Sequence, residues 1–517
     1  MSTLAQWAAA TPEKPALISA ETGTTTTFDA LEARAVQGAS WLISAQCEAG
    51  DGIALLLENR VEFVEICLAA RHAGLYYTAI STHLLPAEIA YIVGDCGARM
   101  LFVSKATWPL VAPALGEHGC RVIAVGEPIE GLESYQALLE ATPVLSPLPE
   151  RPVGRDLLYS SGTTGRPKGV RRPLRAHADR QRPDLEVAAW RERFSFDERS
   201  IYLSTAPMYH AAPLRYIMRT LDQGGTCVLM SRFDPELALA SIERHRITHS
   251  QWVPTMFVRL LKLPVEVRGR HDVSSLRVAV HAAAPCPVDV KQAMLDWWGD
   301  VVHEYYAGSE GLGATAIGPL EWRTHPGSVG RAMAGTLHVL DDDGRELPPG
   351  QIGTVWFAGV ASFAYLNDPD KTRDAYNDRG WASYGDVGHV DQDGYLYLSD
   401  RRTDLILSGG VNVYPQEIEN ALLQHPSVED AAVIGVPDDE LGEVPKAVVQ
   451  LRGGEPGDVG LAQDLVRFCG ERLSRLKLPR SIVFEPVLPR LENGKLLRRV
   501  LKDRYRLEPA AGFQVRN

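Results

Sequence analysis

The sequence predicts an α/β protein with a second, smaller α+β domain, and three observations carry that prediction. A chain of 517 residues is too long for one hydrophobic core, so two or more domains are expected. Short apolar strands alternate with amphipathic helices early in the chain, as in the strand Ile53 to Leu57 and the helix Val61 to His72. Near Thr403 the pattern changes to that of a small α+β module. We therefore predict a large domain at residues 1–402 and a small one at residues 403–517.

Inside the large domain, alternating buried strands and helices continue through Met100 to Val103, which predicts βαβ units and a largely parallel sheet. Turn-rich segments from Asp341 onward, with short strands such as Thr354 to Phe357, predict a distorted antiparallel barrel. The small domain begins with a helix from Pro415 to about Gln424. Its other predicted elements are the strands Val428 to Val436, Ala447 to Leu451 and Ser481 to Phe484 and the helix Leu461 to Leu473.

Composition excludes several classes of function. A formal net charge of -12 argues against a surface that binds nucleic acid, although single nucleotides are held by local groups whatever the net charge. The seven cysteines are scattered without a C-x-x-C pair, so neither a zinc site nor a disulfide framework follows. No apolar run approaches the roughly 18 residues of a membrane span, and the first residues do not resemble a signal peptide. A cytoplasmic protein is expected.

The most distinctive motif is YSSGTTGRPKGV, from Tyr159 to Val170. Its small and hydroxylated residues cannot pack a core, but glycine tolerates φ > 0 and consecutive N–H groups form a concave nest of donors for an anion. The motif follows a short strand, as many phosphate-binding loops do. A flexible linker is the alternative, whereas a Walker loop is excluded because Gly165 is not followed by Lys and Ser or Thr. The predicted phosphate ligands are Ser160, Ser161, Gly162, Thr163, Thr164, Gly165 and Lys168.

With this loop the chain resembles the adenylate-forming enzymes, which include acyl-CoA synthetases, firefly-type luciferases and the adenylation domains of peptide synthetases. Further motifs in the right order extend the resemblance over nearly the whole chain. The resemblance implies ATP and Mg²⁺ as cofactors, CoA as acyl acceptor, and a small C-terminal domain that rotates between two half-reactions. Within the family the chain looks most like bacterial synthetases that act on fatty, steroid or other polycyclic terpenoid acids.

Two histidine-containing motifs match the family's pockets. In APMYHAAPLR, the resemblance places Tyr209, His210 and Ala211 where the nucleotide and acyl pockets meet. In HAAAPCP, a turn of small residues after the predicted strand Leu276 to Val280 is similar to the family's adenine-walling turn. Without the resemblance, a structural histidine and a tight turn are the ordinary interpretations. The residues carried over from the second motif are Ala283, Ala284 and Pro285 for adenine and His281 for the acyl pocket.

The motif EYYAGSEG resembles the family's Tyr-Gly-x-Thr-Glu sequence. By that resemblance Tyr305 and Tyr306 lie at adenine, Ser309 bonds a phosphate oxygen and Glu310 holds Mg²⁺. Two positions depart from the family pattern, because Ala307 replaces Gly and Ser309 replaces Thr. The serine keeps its hydroxyl, whereas the extra methyl of the alanine leaves the shape of the substrate open. The residues assigned to the acyl pocket here are Ala307, Gly308 and Gly313.

The last motifs lie around the domain boundary. By resemblance Asp386 and Arg401 clasp the ribose hydroxyls, which fits because a carboxylate accepts from both hydroxyls of a diol while a guanidinium donates; a surface salt bridge is the alternative. Lys495 matches the catalytic lysine that reaches the ATP site. Thr403 lies at the hinge, where the family often has Asp or Lys. Two glycines, Gly409 and Gly410, are assigned to a narrow passage for the pantetheine arm of CoA.

These residues predict a ligase that joins a carboxylic acid to CoA through acyl-AMP. The first step brings two anions together, so cations and N–H donors must face the transferring phosphoryl group. Transfer to a carrier protein, or a nucleotide-binding regulator without catalysis, are the alternatives. Small residues in the acyl segments favour a bulky hydrophobic acid.

The basic segment Arg171 to Pro183 is interpreted as a solvated surface segment, with contact to phosphates as the alternative. The oligomeric state is left open, with a homodimer as one option.

Overall fold

The computed structural model describes residues 3–116, 119–160, 167–179, 185–360, 362–401, 404–408, 411–438, 441–454, 456–491, 494, 496–506, 508 and 511–515. The first part alternates strands and helices. In chain order these are α1 (Leu4–Ala10), β1 (Pro15–Ser19), β2 (Thr25–Thr27), α2 (Phe28–Ser44), β3 (Gly52–Leu56), α3 (Val61–Ala73), β4 (Tyr76–Ala79), α4 (Pro86–Asp95), β5 (Ala98–Val103), α5 (Trp108–Leu115), β6 (Arg121–Ala124), β7 (Glu133–Ser134), α6 (Tyr135–Ala141) and β8 (Arg155–Asp156).

Strands β3 to β8 form a wholly parallel sheet in the order β7-β6-β5-β3-β4-β8. The βαβ units predicted from the alternating pattern are therefore confirmed. Helix α3 ends at Gly74, whose φ of 74° lies in the left-handed region that glycine adopts without strain.

The middle of the large domain builds the sheet that carries the candidate site. Its elements are β9 (Leu158–Ser160), β10 (Lys168–Arg171), α7 (Leu185–Phe194), β11 (Ile201–Ser204), α8 (Ala211–Asp222), β12 (Thr226–Leu229), α9 (Pro235–His245), β13 (His249–Trp252), α10 (Pro254–Leu261), α11 (Val265–Arg268), β14 (Val278–His281), α12 (Val288–Trp298), β15 (Val302–Ala307), β16 (Ala314–Ile317), α13 (Pro319–Thr324) and β17 (Arg331–Ala334). The sheet order is β17-β16-β15-β14-β13-β11-β12-β1-β2, parallel from β15 to β1 and antiparallel at both edges.

Apolar side chains cover both faces of this nine-stranded sheet, as expected for a parallel sheet. Tyr202 belongs to the hydrophobic cluster on one face and the next residue, Leu203, to the cluster on the other, because successive side chains of a strand alternate. Cys227 and Val228 alternate in the same way on β12. The sheet is thus buried on both sides, and its strand ends are left to form a site.

Antiparallel pairing dominates the rest of the large domain. Its elements are β18 (Thr336–Leu340), β19 (Gly353–Ala358), β20 (Ala364–Tyr365), α14 (Pro369–Asp374), β21 (Asp386–Val390) and β22 (Leu396–Arg401). One antiparallel sheet has the order β18-β19-β21-β22 and a second joins β20-β10-β9. The antiparallel character predicted for this part is confirmed, and its strands are divided between these two sheets.

The last part of the chain has its own sheet and its own core. Its elements are β23 (Ile406–Ser408), β24 (Val411–Val413), α15 (Pro415–Leu423), β25 (Val428–Asp438), β26 (Gly442–Leu451), α16 (Val459–Gly470), β27 (Ser481–Phe484), α17 (Arg498–Arg506) and β28 (Phe513–Gln514). The sheet order is β24-β23-β26-β27-β28, with β25 also paired to β26. The hydrophobic clusters of this part contain no residue of the large domain, which is the behaviour expected of a separate domain. Among the described helices, none is long and apolar enough to cross a bilayer.

A buried histidine in the nine-stranded sheet predicts that stability depends on pH. His249 is 1% exposed; burial lowers its pKa to about 4, although its hydrogen bond with the Phe194 carbonyl, 3.0 Å away, opposes that shift. Because the folded state favours the neutral ring, the stabilisation is present above the unfolded pKa of about 6.5 and is lost as the pH falls toward 4. Burial also lowers the pKa of His281.

We expect the free energy of unfolding in urea to fall by about 1 kcal/mol per buried histidine between pH 7.5 and pH 5.5. The variant His249→Gln should show a smaller pH dependence than the wild type, whereas His177→Gln, at an exposed position, should not differ from it. An identical pH dependence in His249→Gln and the wild type would contradict this assignment.

Candidate active site

A cavity of about 1930 Å³ lies at the carboxyl ends of the parallel strands of the nine-stranded sheet. Its lining includes Ala206, Val253, Ala282 and Gly308, which follow β11, β13, β14 and β15. Ligands of open α/β sheets bind at this edge because loops from several strands converge there. Residues of the last part of the chain, such as Arg498, complete the wall.

The turn predicted to wall adenine does line this cavity. Ala283, Ala284 and Pro285 border it together with Tyr305 and Tyr306. Ala283 has a φ of 77°, a left-handed conformation that is uncommon for residues other than glycine. Such strain recurs where the surrounding structure holds a backbone in place for a ligand.

Tyr306 and Asp386, predicted to contact adenine and ribose, are in direct contact with each other. The Tyr306 hydroxyl donates to Oδ2 of Asp386 over 2.5 Å, and this bond fixes the orientation of the carboxylate. Asp386 lies directly opposite Arg401 in the antiparallel pair β21 and β22. The side chain of Arg401 lies outside the described part of the chain, but the backbone register brings the two predicted ribose residues together.

Glu310 and Lys168 both line the cavity and both lie near Tyr365. The Tyr365 hydroxyl donates to Oε1 of Glu310 over 2.9 Å, and Nζ of Lys168 is 5.7 Å from the centre of the same ring. Burial, followed by repulsion from Lys371, lowers the pKa of Lys168. Tyr365 therefore contacts the predicted magnesium ligand through its hydroxyl and has the predicted phosphate-binding lysine near its ring.

The carboxylate of Glu310 fits a magnesium site. Mg²⁺ is commonly held by one or two carboxylates together with substrate phosphates. Glu310 supplies such a carboxylate, with Tyr365 bonded to one of its oxygens. Among the described residues no three His, Cys, Asp or Glu side chains cluster as a complete metal site, so nucleotide oxygens and water would supply the remaining ligands.

Ser309 is tied to a buried ion cluster that sequence reasoning missed. Nη2 of Arg215 donates to the Ser309 carbonyl over 3.0 Å and to Oδ2 of Asp156 over 2.7 Å. Arg172 approaches the other oxygen of Asp156 at 3.5 Å. The interpretation of Arg171 to Pro183 as a solvated surface is therefore wrong at Arg172, which is 8% exposed because Asp156 supplies a buried counter-charge.

The glycines assigned to the acyl pocket have a packing role as well. A side chain at Gly308 would lie 2.2 Å from the ring of Tyr384, and one at Gly313 would lie 2.3 Å from the ring of Phe357. The Tyr384 hydroxyl also accepts from the Leu312 N–H and donates to the Gly313 carbonyl. Aromatic rings of the protein therefore occupy the space that these two glycines leave, which weakens them as evidence for a large substrate.

Tyr209, His210 and Ala211 line the cavity, and His210 precedes the first turn of α8. Their loop is held by Asn59, a residue that no motif indicated. The Asn59 amide donates to the carbonyls of Ala206 and Met230, over 3.1 and 2.9 Å, and its oxygen accepts from the N–H of Met208 over 2.7 Å. Asn59 thus positions the loop that carries His210.

His281 does not lie where it was predicted. Strand β14 runs to His281, one residue beyond the predicted strand end, and the side chain is completely buried beneath the cavity. Its Nε2 is 3.4 Å from the Glu304 carboxylate, which Lys291 contacts at 2.5 Å. An imidazole at this depth supports the sheet and has no surface for an acyl group, so we do not carry its predicted acyl contact forward.

Several predicted residues fall outside the described part of the chain. They are Ser161, Gly162, Thr163, Thr164, Gly165, Thr403, Gly409, Gly410 and Lys495, while Ser160 is described for its backbone alone. Gly494, directly before Lys495, is described: a side chain there would lie 2.8 Å from Oγ1 of Thr255, a residue of the cavity wall. Gly494 itself therefore packs against the cavity wall.

Comparisons with known proteins agree with this geometry. A family model described as AMP-binding enzyme matches residues 4–364, and one described as AMP-binding enzyme C-terminal domain matches residues 417–495. A long-chain-fatty-acid–CoA ligase of Mycobacterium tuberculosis is 31% identical over 507 residues, 97% of each chain. A feruloyl-CoA synthase of Amycolatopsis is 34% identical over 491 residues, 93% of this chain and 94% of the relative. The solved structure of an anthranilate CoA ligase in complex with anthranoyl-AMP has a TM-score of 0.85 at 28% identity and covers 99% of this chain and 98% of its own.

Proposed function

The chain belongs to the family of AMP-binding, adenylate-forming enzymes, and on that premise we propose that it activates a bulky, mostly apolar carboxylic acid and transfers it to CoA. At the level of reaction class it is an AMP-forming acid–thiol ligase, which adenylates an acid with ATP and Mg²⁺ and gives a CoA thioester. The choice of acid and the roles of individual residues are the parts that we propose here.

One observation carries the proposal. Lys168, Glu310 and Asp386 line a single cavity, with a cation, a carboxylate suited to a metal and a carboxylate suited to a diol on its walls. These are the three requirements for binding a metal-bound nucleoside triphosphate. Half-buried apolar side chains, such as those of Val258 and Met333, line the same cavity and offer an apolar surface to the acid.

The first half-reaction joins two anions, the carboxylate and ATP, which repel each other. The proposed residues reduce this repulsion. The acid's carboxylate attacks the α-phosphorus of ATP, and pyrophosphate leaves. We propose that Lys168 and Lys495 face the charge on the phosphates. Glu310 would hold Mg²⁺, which would supply positive charge to the phosphate oxygens. Asp386, oriented by Tyr306, holds the ribose so that the phosphorus stays in line with the acid.

The second half-reaction replaces AMP by a thiol. We propose that the last part of the chain turns about Thr403 and presents Gly409 and Gly410 to the cavity, where a backbone without side chains leaves room for pantetheine. His210 precedes α8 in a loop held by Asn59 and lines the cavity, and we propose that it contacts the acyl-AMP. A homodimer and a cytoplasmic location stay predictions.

We expect larger apolar acids to exceed acetate in kcat/KM by at least about 10-fold, because each buried CH₂ contributes about 0.8 kcal/mol. The measurement is pyrophosphate release from ATP over a panel of linear and ring-containing acids, with the acyl-CoA product identified by mass spectrometry. Acetate turned over as well as the larger acids would contradict the proposed substrate class. If AMP forms without a CoA thioester and the acyl group is transferred to an added carrier protein, the carrier protein and not CoA is the acceptor.

A further inference from the structure

A second lysine lies beside Lys168 in the part of the cavity that we assign to the phosphates. Lys371 lines the same cavity, and both side chains are half-buried. It belongs to α14, a short helix outside the motifs that predicted the nucleotide site. Burial lowers the pKa of Lys168 most, and the charge of Lys371 is the next largest cause, so the two ammonium groups lie close enough to repel each other.

The helix that carries Lys371 is tied to the other residues of the candidate site. Oγ1 of Thr372, the next residue of α14, accepts the N–H of Tyr365 over 2.9 Å. The hydroxyl of Tyr365 donates to Glu310, and its ring centre is 5.7 Å from Nζ of Lys168. The backbone at Lys371 is therefore held in place relative to the predicted magnesium ligand and the predicted phosphate ligand.

The positive charge of the lysine pair is not neutralised by a direct partner in the described part of the chain. Neither ammonium group forms an ion pair with a described carboxylate. Asp368 and Asp374 attract Lys168 from further away. Oδ1 of Asp368 caps α14 by accepting the N–H of Lys371 over 3.0 Å, and Asp374 has an exposed side chain that water screens.

Two half-buried ammonium groups that repel each other are unfavourable unless an anion binds to both. Each lysine offers three N–H donors, so an anion with several oxygens can accept from both at once. Hydrogen bonds between oppositely charged groups are also about twice as strong as those between neutral ones. The β- and γ-phosphates of ATP, which leave together as pyrophosphate, match this requirement because they carry most of the charge of the nucleotide.

We propose that Lys371 and Lys168 together bind the β- and γ-phosphates of ATP and hold the pyrophosphate that leaves. The inference rests on the proposed function and deepens it, because it assigns a second cation to the nucleotide that the enzyme consumes. The lysine pair stabilises the charge that develops on pyrophosphate as its bond to the α-phosphorus breaks. AMP lacks both of these phosphates, so Lys371 has no contact with it.

Calorimetric titration of the full chain without a carboxylic acid tests this inference, because ATP then binds but is not consumed. The probes are ATP with Mg²⁺, pyrophosphate with Mg²⁺, and AMP. We expect Lys371→Met to weaken the binding of ATP and pyrophosphate about 10-fold, since methionine keeps an unbranched side chain but removes the charge. AMP should bind as it does to the wild type, which also shows that the variant is folded. Lys371→Arg restores a cation and should recover most of the lost affinity.

Arg373→Met is the matched control. This arginine lies on the same helix, but its side chain is 74% exposed, pairs with Asp370 at 2.8 Å and does not line the cavity. Its three affinities should equal those of the wild type. Unchanged binding of ATP and pyrophosphate by Lys371→Met would overturn the inference and leave the proposed function standing. Equal weakening of AMP and ATP would overturn the assignment to the β- and γ-phosphates, and a wild-type protein that binds none of the three probes would overturn the proposed function as well.

Discussion

Replacing Lys495 by alanine is expected to slow acyl-AMP formation about 10²- to 10³-fold, the usual effect of losing one preorganised donor to a transition-state charge. The same variant should convert presynthesised acyl-AMP and CoA to thioester at the wild-type rate, because the phosphorus is no longer attacked in that step. Single-turnover pyrophosphate release measures the first half-reaction, and thioester formation from acyl-AMP measures the second. Lys477→Ala, which removes a lysine paired with Glu417 away from the cavity, serves as the control.

Gly410→Leu should behave in the opposite way. Its side chain would obstruct the passage of pantetheine and leave adenylation intact, because the two half-reactions use different faces of the small domain in our proposal. Gly494, the residue before Lys495, packs near Thr255 of the cavity wall, which supports the proposed role of Lys495 in the first half-reaction. Equal losses in both half-reactions for Lys495→Ala, with an unchanged circular dichroism spectrum, would exclude alternation for this protein.

The elements that the sequence predicted best are those with local signals. Helix α3 was predicted from Val61 to His72 and spans Val61–Ala73, because Gly74 provides a left-handed end. Helix α15 was predicted from its first-turn Pro415, and strand β27 was predicted at its observed bounds. In each case the residues that decide the boundary are neighbours in the chain. Helix α17 was missed, since its charged sequence lacks a broad apolar stripe.

The motifs identified single residues of the site but not the contacts between them. Tyr306 and Asp386 are 80 residues apart and Tyr365 and Glu310 are 55 apart, so no local pattern links either pair. Tyr365 belongs to no motif and reaches the site because β20 pairs with β10. Contacts between residues so far apart in the chain depend on the tertiary fold, so the spacing of motifs in the sequence does not predict them.

Two predictions were wrong for reasons that the local sequence does not show. The segment around Arg172 was interpreted as solvated because of its basic composition, but burial of a charge is decided by a partner elsewhere, here Asp156. His281 was carried into the acyl pocket with its motif, whereas the extension of β14 by one residue keeps it within the buried strand. Periodicity predicts that a strand exists more reliably than it predicts where the strand ends.

Asp156→Asn is expected to reduce the free energy of unfolding by about 3–5 kcal/mol, the usual effect of removing one charge from a buried ion cluster. The side chains of Arg172 and Arg215 are only 9% and 14% exposed, and Asp156 is the carboxylate that both approach. An amide keeps the shape of the side chain but removes the charge. Since Arg215 also holds the Ser309 carbonyl, the variant should weaken ATP binding together with stability.

The pH dependence of that loss identifies the carboxylate as its cause. Burial alone would raise the pKa of Asp156, but the guanidinium groups of Arg215 and then Arg172 outweigh burial and hold the pKa below its usual range. The charged form is therefore favoured in the folded state, and its stabilisation is present above the unfolded pKa of about 3.9 and lost as the pH falls through the lower folded pKa. The difference between wild type and Asp156→Asn should be full at pH 7 and shrink below about pH 4.

Urea unfolding followed by tryptophan fluorescence measures this difference at each pH. Glu127→Gln is the matched control, because Glu127 forms an ion pair with Lys105 in which both side chains are mostly exposed, at 71% and 68%. Such pairs are screened by water and contribute little to stability, so this variant should unfold at the same urea concentration as the wild type. Asp156→Asn unfolding at the same urea concentration as Glu127→Gln at pH 7 would show that the two arginines find other counter-charges, and Asp156 would lose its assigned role beneath Ser309.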